Sequence, residues 1–494
     1  MLTPATPTDK LAARPRTSRR LGLALILIAL TLALPASASA SGSTRGWGGW
    51  AWQESRSYAD LSGVAFADAT HGWAVGATWD TATDAYEGAI IATIDGGANW
   101  SAQGAGTTRN LTAVACSEAD HCWAVGWTYD ALTDTNEGAI LATTDGGANW
   151  SAQNPGTSAP LNAVAFPNAS HGCAVGSNGT ILTTTDGGAT WSTQASGTTA
   201  ELSGVAFSDA DHGWAAGSTW VDDPIDDSDT GYWGTILATT DGGVTWSTQV
   251  SGVQAFFSGV AFPDAAHGWV AEFNGSIWAT GDGGATWSTK DLEVINDPRG
   301  GHRWEHPTAV AFADATHGWV VGGEEIDHPG GPYPGDLILA TTDGGATWKV
   351  QQRGGGSDQG MTAVAFADAT HGWAVDAGGT ILATSTGGEP PLTLKLSGLK
   401  HGAMKLGKRV TAKGMVTRSA VAGPAGDKVK LTVQKKKRTT WVRVKTVKRT
   451  IAADGTYTWK YRPAKKGAYR MLATVLMSVK QGTAGTGWRT FRVK

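Results

Sequence analysis

An eight-residue phrase, Thr-x-Asp-Gly-Gly-x-x-Trp, occurs six times in this chain, at 93–100, 143–150, 184–191, 239–246, 280–287 and 341–348. A seventh copy begins at Thr384 but carries Thr386 in place of the Asp and lacks the Trp. The phrase suits a tight turn between two antiparallel strands. Asp accepts hydrogen bonds from the backbone of its own turn, paired glycines permit positive φ, and Trp anchors the strand that follows. A motif that returns this often is one part of a longer unit, and units of this length stack into a repeat architecture.

Upstream of each box stands an apolar strand, as in Leu61-Ser62-Gly63-Val64-Ala65-Phe66. A turn leads to a second strand, His71-Gly72-Trp73-Ala74-Val75-Gly76, and a third, Gly88 to Thr93, runs into the box. A fourth starts at the box Trp and carries Gln103. The histidine recurs at positions 71, 121, 171, 212, 267, 317 and 371. Four strands per unit at this period predict a propeller blade, hence an all-β fold with seven blades. The last unit has no fourth strand, but Trp50-Ala51-Trp52-Gln53 matches Trp100-Ser101-Ala102-Gln103. The N-terminal segment is therefore expected to complete the last blade as its outer strand and remove an exposed edge.

The ends of the chain follow another grammar. Arg14, Arg16, Arg19 and Arg20 precede the apolar run Leu21 to Leu34 and the small residues up to Ala40, so residues 1–40 read as a signal peptide and the protein as exported. Residues 41–389 are the expected propeller. Residues 390–494 alternate apolar and polar positions, as in Lys428-Val429-Lys430-Leu431-Thr432-Val433, and predict a small antiparallel β-sandwich. Charge divides along the same line. Of 39 Lys and Arg, 26 lie beyond residue 390; of 43 Asp and Glu, only 2 do. Cys116 and Cys122 occupy the positions of Phe66 and Gly72 in the first unit, facing each other across one hairpin, and in an oxidising compartment they are expected to form a disulfide. Cys173 replaces the Trp of the second strand and is expected to stay a buried thiol.

The boxes and the Gly-Trp-Ala-Val-Gly strand make residues 47–388 resemble Asp-box (BNR-type) propellers, and in particular the photosystem II stability and assembly factor family. The Gly455-Thr456-Tyr457 and Gly467-Ala468-Tyr469 patterns resemble bacterial Ig-like surface modules. The Asp-box resemblance implies that box carboxylates hold turns together and do no catalysis. Sialidases share the boxes, but between residues 41 and 390 the six arginines, Arg45, Arg56, Arg109, Arg299, Arg303 and Arg353, offer no inner-strand triad. Seven histidines at equivalent turns of different blades stay apart, so they do not form a metal site. No metal and no cofactor is expected.

Function is better sought where the units differ. Long insertions are expected at 218–233, 289–307 and 323–335, all on blades four to six. They bring aromatic residues beside charged ones, and the candidate ligand-binding residues are Trp220, Asp222, Asp226, Tyr232, Trp233, Arg299, Arg303, Trp304, Glu324, Asp327 and Tyr333. Such a surface can take a glycan, a wall polymer or a protein. In the basic domain Lys435, Lys436, Lys437 and Arg438 are candidates for contact with an anionic polymer. No nucleic-acid fold signature appears. The expected function is a non-enzymatic binding or scaffold propeller, secreted and held at the cell surface by its basic domain. The competing reading is a secreted carbohydrate-active enzyme using a carboxylate pair from the same insertions.

Overall fold

The structure is a computed structural model that describes residues 49–81, 85–104, 109–130, 135–222, 230–292, 303–326, 333–353 and 360–388, and beyond these 392–397, 403–404, 410–418, 421–422, 428–450, 456–476 and 489–493. Between residues 51 and 384 the strands form seven four-stranded antiparallel sheets. In blade 1 they are Asp60–Phe66, Gly72–Asp80, Ala85–Thr93 and Ser101–Gln103. The same succession is repeated five more times, and the seventh sheet takes its outer strand from the N-terminus. Ala51–Gln53 pairs antiparallel with Ile381–Thr384, in the register Ala51 opposite Ala383.

Neighbouring blades are joined at three levels, each read from the repeated unit. On the innermost strands a hydroxyl at the bulge reaches the next blade. Thr112 Oγ1 donates to the Leu161 carbonyl at 2.9 Å, and Thr362 Oγ1 of the last blade donates to Leu61 of the first at 2.8 Å. In the middle, the second-strand Trp stacks on the Phe that ends the next blade's first strand. Trp123 lies 3.5 Å from Phe166, Trp319 3.4 Å from Phe366 and Trp373 3.4 Å from Phe66, centroid to centroid. At the outside, the box Trp of three blades donates to the fourth-strand Gln of the preceding blade, as Trp150 does to Gln103 at 3.0 Å and Trp50 to Gln351 at 2.9 Å. These seams bury Trp73, Trp123, Trp319 and Trp373 almost completely.

The boxes are turns, as their composition requires. In blade 3, Thr184 Oγ1 donates to Asp186 and accepts from the Gly188 amide, both at 2.8 Å, while Asp186 also accepts from the Thr190 amide and hydroxyl. Gly187 and Gly188 sit at φ 70° and 87°, where a side chain would be strained. The donors around it, Thr190 first, hold the Asp186 carboxyl down at about 2.

The cysteines show how one unit tolerates a departure. In the other units with Phe at this strand end, its ring lies over the glycine that opens the second strand, leaving no room for a Cβ at Gly72 or Gly172. In blade 2 Cys116 removes that ring, and Cys122 takes the glycine's place and is bonded to it, with Cα atoms 4.1 Å apart. Cys173 is fully buried and unbonded, and burial raises its pKa.

Beyond residue 391 the strands form two further sheets. Leu392–Ser397, Val410–Arg418, Val421–Ala422 and Thr456–Tyr461 belong to one. Lys428–Lys437, Thr440–Thr450, Gly467–Leu476, Arg489–Val493 and Ala403–Met404 belong to the other. The expected all-antiparallel pattern fails at one place: Ala403–Met404 runs parallel to the end of Arg489–Val493. Leu431, Val433, Tyr457, Trp459, Tyr469 and Met471 supply buried side chains, on strands whose alternate positions carry the basic residues.

Candidate functional site

An antiparallel blade sends its box turns to one face and its second-to-third hairpins, with the connections between blades, to the other. The histidines belong to the box face and are spent on structure. His71 Nδ1 lies 2.9 Å from Asp68 Oδ2, and the same Asp side chain accepts from the Thr70 and His71 amides. His212, His267, His317 and His371 pair in the same way with Asp209, Asp264, Asp314 and Asp368. In blade 2 Glu118, Asp120 and His121 approach within 4.8 Å of one another, but His121 is again occupied, 2.8 Å from Asp120.

The hairpin face is where the units diverge, and its insertions are less loop-like than expected. In blade 4 the strands extend to Val221 and restart at Gly231, so Trp220 stands directly opposite Tyr232 and Thr219 opposite Trp233. In blade 6 Arg303 and Trp304 open the first strand, Glu324 lies in the second, and Tyr333 begins the third. The reason is continuous cross-strand pairing with alternating side chains, which carries the sheet out past the blade body. Asp226, Arg299 and Asp327 lie outside the described residues. Asp222 is exposed just beyond the blade 4 strand.

Across this sector the structure assembles rings that were not all foreseen. Trp220 meets Tyr232 edge-on at 4.9 Å, and Tyr232 stacks on Phe256 at 4.3 Å. Phe256 approaches Phe273 at 5.4 Å, and Phe273 stacks on His306 at 4.6 Å. Phe256 lies between blades 4 and 5, Phe273 in the tight hairpin of blade 5, and His306 on the first strand of blade 6. Sequence reasoning looked for long insertions, which include His306, and passed over the short connections that hold Phe256 and Phe273. Trp220 and Tyr232 remain 55% and 42% exposed, so the ladder presents ring faces to solvent.

Glu324 does not join this surface. It is buried and held by Arg353 at 2.6 Å. Near it lies a carboxylate that the sequence reading missed. Asp336, on the third strand of blade 6, is fully buried, and neither of its oxygens has a hydrogen-bond partner among the described residues. Burial first, then the charges of Asp376 and Glu324, push its pKa up to about 7. A signal was available in the repeats: the six equivalent positions are Gly88, Gly138, Gly179, Gly234, Gly275 and Gly379. Asp376 itself caps its own hairpin, accepting from the Gly378 and Thr380 amides at 2.8 and 2.7 Å. A general acid would want a pKa like that of Asp336, but a carboxyl sealed from solvent touches no substrate.

Beyond the propeller strands, Lys436, Lys437 and Arg438 form the exposed tip of the Lys428–Thr450 hairpin. Lys435 is partly withdrawn, its Nζ 5.7 Å from the centre of the Tyr469 ring.

Repeated boxes, seven four-stranded sheets and an aromatic hairpin face define a BNR-type β-propeller similar to the photosystem II assembly factor. Residues 153–247 match the family described as photosynthesis system II assembly factor YCF48. Among solved structures, YCF48 bound to D1 peptide aligns at 17% identity over 70% of this chain and 99% of that one, with a TM-score of 0.49. YCF48 from Cyanidioschyzon merolae aligns at 19% identity over 68% and 98%, with a TM-score of 0.48. The GH74 enzyme of Niastella koreensis aligns at 15% identity over 87% and 84%, with a TM-score of 0.38. No curated protein sequence matches the chain.

Proposed function

We propose that this protein is an exported, non-enzymatic binding propeller whose ligand is a protein segment received on the hairpin face. The observation that carries this reading is the ladder Trp220–Tyr232–Phe256–Phe273–His306, a line of rings across three blades that ends in exposed aromatic side chains. Exposed Trp and Tyr give large contact area with little rotamer entropy to lose, as binding surfaces require. The match of residues 153–247 to an assembly-factor family favours a protein ligand over a glycan. The basic domain, an Ig-like module in this reading, retains the protein at the cell surface through anionic polymer, with Lys436, Lys437 and Arg438 at its exposed tip.

A peptide and glycan array probed with the mature protein, with hydrolysis followed in parallel, tests this. Peptide binding that weakens in Trp220→Ala without loss of fold supports it. Glycan cleavage, or glycan binding alone, would sink it. Retention on anionic polymer should fall when Lys436, Lys437 and Arg438 are changed together to Glu.

A further inference from the structure

The aromatic pair of blade 4 has a twin. In blade 1 Trp79 stands opposite Tyr86 with ring centroids 4.8 Å apart and edge-on, nearly the geometry of Trp220 and Tyr232. The positions are equivalent: each Trp lies six residues after the buried second-strand Trp, and each Tyr seven before the box Thr. Each Tyr also touches an aromatic residue toward the next blade, Trp127 at 5.7 Å in one case and Phe256 in the other. Trp79 and Tyr86 are 47% and 36% exposed. Blades 1 and 4 thus carry two copies of one clamp, three blades apart.

The hairpins carry charge of one sign, while Arg56, Arg109, Arg303 and Arg353 stand in or beside the connections between blades on the same face. From the start of the second strand to the end of the third, no blade contains a single Lys or Arg, whereas seventeen Asp and Glu occur there. Glu87, Glu137 and Asp222 are exposed on or beside the hairpins of blades 1, 2 and 4. Exposed rings beside a net excess of carboxylates favour ammonium and guanidinium groups, by cation–π attraction and by field. Neutral sugars can donate hydrogen bonds to carboxylates but gain nothing from their net field, and acidic peptides would be repelled.

We propose that the hairpin face is a docking surface for an extended lysine- and arginine-rich segment of another protein, gripped by the clamps Trp79–Tyr86 and Trp220–Tyr232. This rests on the protein-binding reading and names the partner's chemistry. The chain's own basic domain is the competing occupant, and the test separates the two.

The probe is a labelled twelve-residue peptide of alternating Lys, Arg and Gly, titrated by fluorescence anisotropy against the full-length mature protein at about 0.05 and 0.3 M salt. An alternating Glu-Gly peptide and a neutral Ser-Gly peptide serve as controls. The cationic peptide should bind, the controls should not, and Trp79→Ala with Trp220→Ala should weaken binding at least about fivefold at either salt. Circular dichroism should show both variants folded, because the two side chains are exposed. Unchanged affinity in the double variant would reduce the effect to unspecific field attraction and overturn the clamps. Concentration-dependent self-association of the full chain, abolished by charge reversal of Lys436, Lys437 and Arg438, would place a second copy on the surface and overturn the foreign partner. If the array instead selects neutral or acidic peptides, the binding function stands and this inference falls.

Discussion

Asp336 makes the stability of this propeller depend on pH in a direction opposite to that set by its boxes. Its carboxyl is buried without a hydrogen-bond partner among the described residues and feels Asp376 and Glu324, the latter already committed to Arg353. In the folded protein it keeps its proton up to about pH 7, whereas the unfolded chain releases it near the ordinary value of 3.8. A carboxyl whose folded pKa is raised contributes nothing adverse below pH 4. It costs stability progressively as pH climbs from about 4 to 7, and no more above that. Three units at 1.36 kcal/mol each amount to about 4 kcal/mol between the two ends of the window. Asp336→Asn keeps the shape and removes the titration. Denaturant unfolding of the full chain and this variant at pH 4.5, 6, 7 and 8.5, at constant ionic strength, should show the wild type losing several kcal/mol more than Asp336→Asn. Asp336→Gly, which restores the residue of the six other units, should be the more stable protein at pH 8.5. Parallel pH profiles for wild type and Asn variant would refute the reasoning, because they would mean the carboxyl finds a partner or water.

Four further outcomes follow from the fold. Thr184→Ala should cost about 1–3 kcal/mol, because it leaves the buried Gly188 amide without its acceptor, and a thermal melt will register it. Asp186→Ala should flatten the loss of stability on acidification from pH 4 to 2, since a carboxyl with a depressed folded pKa stabilises above its unfolded value and ceases to as pH falls toward about 2. Trp50→Ala should cost about 3–5 kcal/mol, and deletion of residues 41–56 should lower the melting temperature further by baring the edge of Ile381–Thr384. An unchanged melt in the deletion would mean that this strand does not hold the last blade. Reduction of Cys116–Cys122 should cost no more than about 2 kcal/mol, because the loop it closes is short.

Much of the fold was legible because the unit repeats its chemistry with its geometry. The box dictates a turn, the alternating strands dictate a sheet, and the stray Trp50-Ala51-Trp52-Gln53 could be matched to the gap after Thr384. The disulfide was legible for the same reason, as two residues of one unit read against the same places in another. The hairpin face was harder. An acidic run such as Asp222 to Asp229 reads as loop, yet the register Trp220 opposite Tyr232 keeps the strands paired up to Val221 and from Gly231. Phe256 and Phe273 come from connections too short to attract notice, and only packing brings them into line with His306 of the 289–307 insertion. Asp336 was visible as the one departure from glycine, but its isolation is a property of what surrounds it, which no local pattern records.

The two ends of the propeller leave from one place. Gly49 donates its amide to the carbonyl of Gly388 at 3.0 Å, at the rim of the last box. A label or support attached through Gly49 or Gly388 would therefore start from the box side and leave the hairpin side clear.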